Sequence, residues 1–219
     1  MIKKIKDAIG SIIEAENTAG DKAQKIVIID PATVGSDSGN DGPAELRAIG
    51  LFSDVDEEKV ADLVQSLLFL DLSNSERKED EREPIDFYIS TYGGSADDMF
   101  ALYDIMRQVR ETTEVHTFGV GKVMSAGVLI LAAGTKGKRK IGKNCRVMIH
   151  SVIGGNHGSL HNLVNEMGAI EQLQRMYTDC LVAETKMTKT TLKNMLERKV
   201  NVYLSAEEAV ELGIADIII

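Results

Sequence analysis

Apolar positions recur at helical spacing in several separate blocks of this sequence, with short apolar runs between them. Ile2, Ile5, Ile9, Ile12 and Ile13 form one stripe, so residues 1–20 read as an amphipathic helix. Lys25-Ile26-Val27-Ile28-Ile29 reads as a strand stopped by Pro31. Residues 34–43, rich in Gly, Ser and Asp, read as a linker, and the domain boundary is placed there: 1–42 as an N-terminal extension, 43–219 as the main domain. Residues 49–52 predict a short buried strand. Val60, Leu63, Val64, Leu67 and Leu68 then make the apolar face of a helix that Asp54 or Asp56 can cap. Residues 73–84 are charged and almost free of apolar side chains, which predicts a solvated loop.

Residues 85–90 predict a strand, followed by Thr91-Tyr92-Gly93-Gly94-Ser95 and a helix over 96–109. A strand, double glycine and helix bare backbone N–H groups at the turn. Residues 115–118 predict another strand, 128–133 an apolar helix, 135–139 a basic turn, and Val147-Met148-Ile149 a strand ending in His150. Past the glycines of 154–158, residues 160–186 predict a long helix with Leu163, Val164, Met167, Ile170, Leu173, Met176, Tyr177 and Leu181 on its apolar side. At 1.5 Å per residue it is about 40 Å long, which overshoots one small domain and suggests an inter-subunit contact. A capped helix over 188–196, a second over 203–213 and an apolar terminal strand over 214–219 complete the pattern. Strands alternating with helices predict an α/β fold with a mostly parallel sheet.

Composition narrows the class of function. A net charge of −9 and a pI near 5.0 argue against nucleic acid as the main partner. No apolar run approaches the ~18 residues of a membrane span, and the N-terminal apolar residues are interspersed with charge rather than blocked into a secretory signal. Cys145 and Cys180 have neither metal-like spacing nor a disulfide framework, so a reducing cytoplasm is expected. The four histidines make no metal-ligand pattern with cysteine or paired carboxylates, and no metal or other cofactor is expected.

The chemistry concentrates between Phe118 and His150. Ser125, within Met124-Ser125-Ala126-Gly127, is placed at a helix N-terminus, where free N–H groups and the helix dipole favour developing negative charge. Serine, histidine and an oxyanion site are the parts of acyl-transfer catalysis. The same residues have a plainer reading: an N-cap serine and a hydrogen-bonded histidine at a strand end.

Several motifs together resemble the ClpP family, the serine peptidases of the Clp protease system. They are Gly93-Gly94, Met124-Ser125-Ala126-Gly127, the segment from Ala132 to Arg139, Met148-Ile149-His150 and Leu204-Ser205-Ala206-Glu207-Glu208-Ala209, in the family's order from about residue 44 onwards. The resemblance implies a ClpP/crotonase-like α/β fold of repeated ββα-type units, with a protruding handle of a strand and a long helix over about 151–187. It implies two stacked heptameric rings of self-assembled subunits, and unfolded polypeptides delivered by an AAA+ unfoldase that alone uses ATP. Ser125 is then the nucleophile, His150 the general base, and the N–H groups of Gly94 and Ala126 the oxyanion hole. Residues 94–96 and 152–154, including Ser95, Ala96, Ile153 and Gly154, resemble the strands that pair with extended substrate.

The chain departs from the family where the third triad residue stands. The family's aspartate, just before the aromatic-Leu-Ser-Ala segment, is here Asn201, which can hold an imidazole but cannot stabilise imidazolium by charge. Glu197 or, more remotely, Asp179 are candidate substitutes. Tyr92 and Val152 stand where the family has proline. A weak peptidase, a rescued triad and an inactive ring subunit are all compatible with this sequence. A crotonase-fold acyl-CoA enzyme, or a Ser-Lys peptidase using Lys122 or Lys138, are further alternatives. The extension over 1–42 is expected to cover a pore or dock a partner.

Overall fold

A computed structural model describes residues 46–155, 157–197 and 200–219; the expected helix, strand and linker of the extension lie outside the described residues. Five strands run side by side in parallel: β1 (Ala48–Leu51), β2 (Ile85–Thr91), β3 (Val115–Met124), β4 (Lys140–Ile141) and β7 (Ile217–Ile218). β5 (Arg146–Ile149) pairs in parallel with β3, and β6 (Val202–Leu204) lies antiparallel to β5. The mixed α/β architecture with a mostly parallel sheet is the one the sequence predicts.

β3 is the spine of the sheet and runs six residues beyond its predicted end at Phe118. Phe118 and Gly119 pair with β4, whereas Lys122, Val123 and Met124 pair with β5. The register against β2 slips between these halves, where Ile89 faces Gly119 but Thr91 faces Val123. The extra residues are absorbed as a bulge, and Gly121 within it takes φ +67°. The glycines of this stretch serve the bend.

Six helices surround the sheet among the described residues. α1 (Glu57–Ser75) starts at Asp56, whose carboxylate accepts from the Lys59 N–H at 2.9 Å. It extends into the segment expected to be a solvated loop. The reason is Asn74, fully buried, whose amide donates to the Glu83 carbonyl and Thr113 hydroxyl and accepts from the Glu83 N–H. α2 (Ala96–Val109) matches its predicted span. α3 (Ala126–Ala132) is buried on every side, as a short helix apolar all round must be. α4 (Leu160–Glu184) buries only Tyr177, Leu181 and Glu184 and leaves its N-terminal half exposed. α5 (Lys189–Leu196) is capped by Thr188. α6 (Ala206–Glu211) has a Ser205–Glu208 capping box; Tyr203 and Leu204, expected within this helix, belong to β6 because they pair with β5.

The core joins β1, β2 and β3 to α1, α2 and α3 through Leu51, Leu67, Phe87, Ile89, Leu102 and Leu129, all fully buried. A second, ionic junction closes the base of α4. Glu184 accepts from Tyr103 at 3.1 Å and from Arg110 at 2.8 and 3.2 Å, and pairs with Lys136 at 3.1 Å. Arg139 lies 4% exposed rather than in an exposed basic turn, because it donates to the Glu184 carbonyl and forks onto Asp216. Burial pushes the Glu184 carboxyl up, yet the hydrogen bonds from Arg110 and Lys136 outweigh it and hold the group below its ordinary range. Asp216 is likewise held low by Arg139 against the effect of burial.

Residues 151–159 form no strand among those described, although the resemblance implies one in the handle. A strand needs a ladder partner, and no strand pairs with this segment among the described residues. It is pinned to α4 by the Val152 N–H, which donates to Gln174 Oε1 at 2.7 Å, and by Gly154, where a Cβ would come within 2.4 Å of Ile170.

Candidate active site

Two strand-to-helix turns build the site. In the first, β2 ends at Thr91 and α2 begins at Ala96, with Gly93 at φ +102° and Gly94 at φ +154° between them. Val55 clamps this turn: its N–H donates to the Gly93 carbonyl and its carbonyl accepts from the Ser95 N–H, both at 2.8 Å. Gly94 lies so close that a Cβ would meet the Val55 carbonyl oxygen at 2.1 Å. Ser95 caps α2, and Ala96 is already helical, so any extended edge here ends at Ser95.

In the second turn, β3 runs into α3 through Ser125, the one described non-glycine residue with positive φ (φ 54°, ψ −122°). Its side chain makes no cap hydrogen bond, unlike those of Asp56, Ser95, Ser159, Thr188 and Ser205. The plain reading of Ser125 as an N-cap therefore does not describe it. Its N–H donates to the Met148 carbonyl at 2.8 Å, which ties the turn to β5, and the Tyr177 hydroxyl donates to its carbonyl at 3.2 Å. Burial raises the Tyr177 phenol well above its ordinary range, so it stays a donor. Gly93 and Gly127 permit the packing, since a Cβ on either would come within 2.6 Å of Ser125 or 2.5 Å of Thr91.

The two turns open on one cleft of about 350 Å³, lined by Tyr92, Gly94, Ser95, Ala96, Ser125, Ala126, His150 and Ile153, with Met99, Val152 and Tyr177. Seven of the residues expected from the sequence thus share one cavity. The N–H groups of Gly94 and Ala126 are given to no backbone carbonyl among the described residues. Gly154 and Asn201 do not line the cleft. By register Asn201 stands one position beyond the β5–β6 ladder, opposite His150, because Ile149 faces Val202. It is exposed and makes no hydrogen bond to His150. Instead His150 Nδ1 donates to the Ser151 carbonyl at 2.5 Å.

In this single protomer no hydrogen bond joins the Ser125 hydroxyl to His150; such bonds often tighten only with substrate. Asp179 pairs with Lys189 at 2.6 Å and Glu197 with Lys193 at 3.7 Å, so neither is committed to His150. Lys138 pairs with Glu114, and the Lys122 ammonium sits 4.6 Å over the Tyr92 ring, which leaves neither in the cleft lining. Burial pushes the Cys145 thiol up to about 11 and raises Cys180, so neither is primed as a nucleophile. A wider depression beside Asp56, Glu57, Glu58 and Ala61 lacks any nucleophile or base pair. The residues that sequence reasoning missed are Tyr177, read there only as part of an apolar stripe, and Gln174 with Ser151, which carried no motif.

Comparison with known proteins follows this geometry. A sequence profile of the family described as Clp protease matches residues 43–219, and the chain belongs to that family. It is 34% identical over 173 residues to ATP-dependent Clp protease proteolytic subunit 1 of Prochlorococcus marinus subsp. pastoris, covering 79% of this chain and 83% of that protein. It is 35% identical over 174 residues to proteolytic subunit 3 of Nocardia farcinica, covering 78% and 74%. It is 34% identical over 173 residues to proteolytic subunit 1 of Corynebacterium glutamicum, covering 78% of each. No helix among the described residues is long and apolar enough to cross a membrane.

Proposed function

We propose that this chain is a serine-type endopeptidase subunit that hydrolyses unfolded polypeptides. Ser125 attacks the scissile carbonyl, His150 takes its proton as general base, and the N–H groups of Gly94 and Ala126 receive the oxyanion. The observation that carries this is the Ser125 turn. A non-glycine residue held at φ 54° without a capping bond places its hydroxyl on a cleft shared with His150 and two uncommitted N–H donors. Ser95, Ile153 and Gly154 lie along or beside that cleft as the edges that receive extended substrate, while Ala96, already helical, lines it without offering an edge. Subunits stack as two heptameric rings around a chamber in the cytoplasm. An AAA+ unfoldase of the Clp type supplies substrate and uses the ATP, so this chain needs neither metal nor other cofactor.

A fluorophosphonate tests the reading directly. Wild-type protein is expected to form an adduct on Ser125 that Ser125→Ala lacks, and no Ser125-dependent adduct sinks the proposal. One observation favours a second reading, a catalytically weak or silent subunit: Asn201, at the position opposite His150, supplies no charge. On that reading Asn201→Asp raises peptide hydrolysis by orders of magnitude, whereas a base oriented by other means gains little from it.

A further inference from the structure

The orientation of His150 can be traced through two hydrogen bonds and one peptide unit to a residue with no motif. His150 Nδ1 lies 2.5 Å from the Ser151 carbonyl oxygen. A carbonyl only accepts, so a ring hydrogen sits on Nδ1, and in the neutral ring the Nε2 lone pair is left free. That is the tautomer a general base requires. The Ser151–Val152 peptide is planar and trans, so its carbonyl and its N–H point in opposite directions. The N–H end, on Val152, donates to Gln174 Oε1 at 2.7 Å.

The Gln174 amide has its own orientation fixed from behind. The Thr178 hydroxyl donates to the Gln174 backbone carbonyl at 2.9 Å, which commits its proton. Thr178 Oγ1 can then only accept from Gln174 Nε2, 3.4 Å away, and this turns Oε1 towards Val152. Both residues stand on α4 directly before Tyr177 and Leu181, where the helix becomes buried.

We propose that Gln174 is a positioning residue for the general base: through the Ser151–Val152 peptide it holds His150 in the Nδ1–H tautomer, a task the family assigns to a carboxylate. Asn201 is then dispensable for the tautomer. The consequence for catalysis rests on the serine-peptidase reading; the tautomer itself does not.

Magic-angle-spinning 15N spectra of the histidine-labelled full chain read the tautomer, with a His150→Gln sample identifying the resonances. Wild type and Asn201→Ala are expected to show Nδ1–H, and Gln174→Leu to lose it. The plateau rate of Ser125 modification by a fluorophosphonate, followed from about pH 5 to pH 9, is expected to fall about a hundredfold in Gln174→Leu, the lower end of what general-base catalysis contributes. Gln174→Glu, which keeps an acceptor for the Val152 N–H, recovers most of that rate. An Nε2–H tautomer in wild type overturns the proposal, even if Gln174→Leu does not fold. An unchanged tautomer and rate in a folded Gln174→Leu overturn it equally. If wild type shows no Ser125-dependent modification, the peptidase reading falls, while the spectra still decide the role of Gln174.

Discussion

Ser125 stores its strain in the backbone, and that strain is measurable. At φ 54° and ψ −122° an alanine is as ill at ease as the serine, whereas glycine is not. Ser125→Gly is therefore expected to be more stable than Ser125→Ala by about 1 kcal/mol or more, read from urea midpoints of the two inactive chains. The opposite holds at Gly94, where an added Cβ meets the Val55 carbonyl, which as backbone has nowhere to go. Gly94→Ala should cost about 3 kcal/mol and lower Ser125 modification together with it. Equal stability to wild type would mean that the turn is looser than its clamp on Val55 implies.

At the scale of elements, the ionic junction under α4 holds together parts that the sequence keeps far apart: α2, the α3–β4 loop, the end of α4 and the Asp216 turn. Removing one partner leaves the others buried and unmatched, so Glu184→Leu is expected to destabilise by about 3–5 kcal/mol by chemical denaturation. The carboxyls of Glu184 and Asp216 titrate lower in the folded protein than in the unfolded chain. Below their ordinary values, about pH 4, the unfolded chain binds protons first, so their stabilisation is full above that pH and is lost as pH falls through the folded values. The fall in denaturation midpoint between about pH 6 and pH 3 should be shallower in Glu184→Gln than in wild type.

This junction also marks where sequence reading stopped. The α2 span was legible because it rests on local spacing, and the cap of α1 was narrowed to Asp54 or Asp56 for the same reason. Ser125, His150 and the double glycine stood out only as motifs in a resembling order, since their segments are distant in sequence and meet on one cleft only in the fold. Arg139 and Asn74 were not legible, because long-range partners overrode the polar character that placed them in loops. The continuation of β3 past Gly119 was equally hidden, since only the neighbouring strands show that its glycines form a bulge. Gln174 looked like any polar residue on a helix, and its partner is a backbone N–H, which has no signature.

For the molecule as a whole, the N-terminal half of α4 leaves an apolar stripe exposed. Leu160, Val164 and Met167 stand 60–73% exposed at helical spacing. Apolar stripes of this kind are covered in assemblies, and the proposed stacking of rings supplies the cover. Val164→Asp with Met167→Asp is expected to dissociate the assembly by sedimentation velocity while the protomer's circular dichroism stays unchanged; an intact assembly would put the contact elsewhere. The buried side chains of α4 begin at Tyr177, so a rigid tilt of the helix would pivot near Leu181. Leu160 lies roughly 31 Å from that pivot and Gln174 roughly 10 Å, at 1.5 Å per residue. A tilt that carries the tip about 3 Å thus reaches Gln174 as about 1 Å, enough to stretch its 2.7 Å bond to Val152 beyond hydrogen-bonding range. A push on the far end of this arm would therefore arrive at Gln174 reduced about threefold.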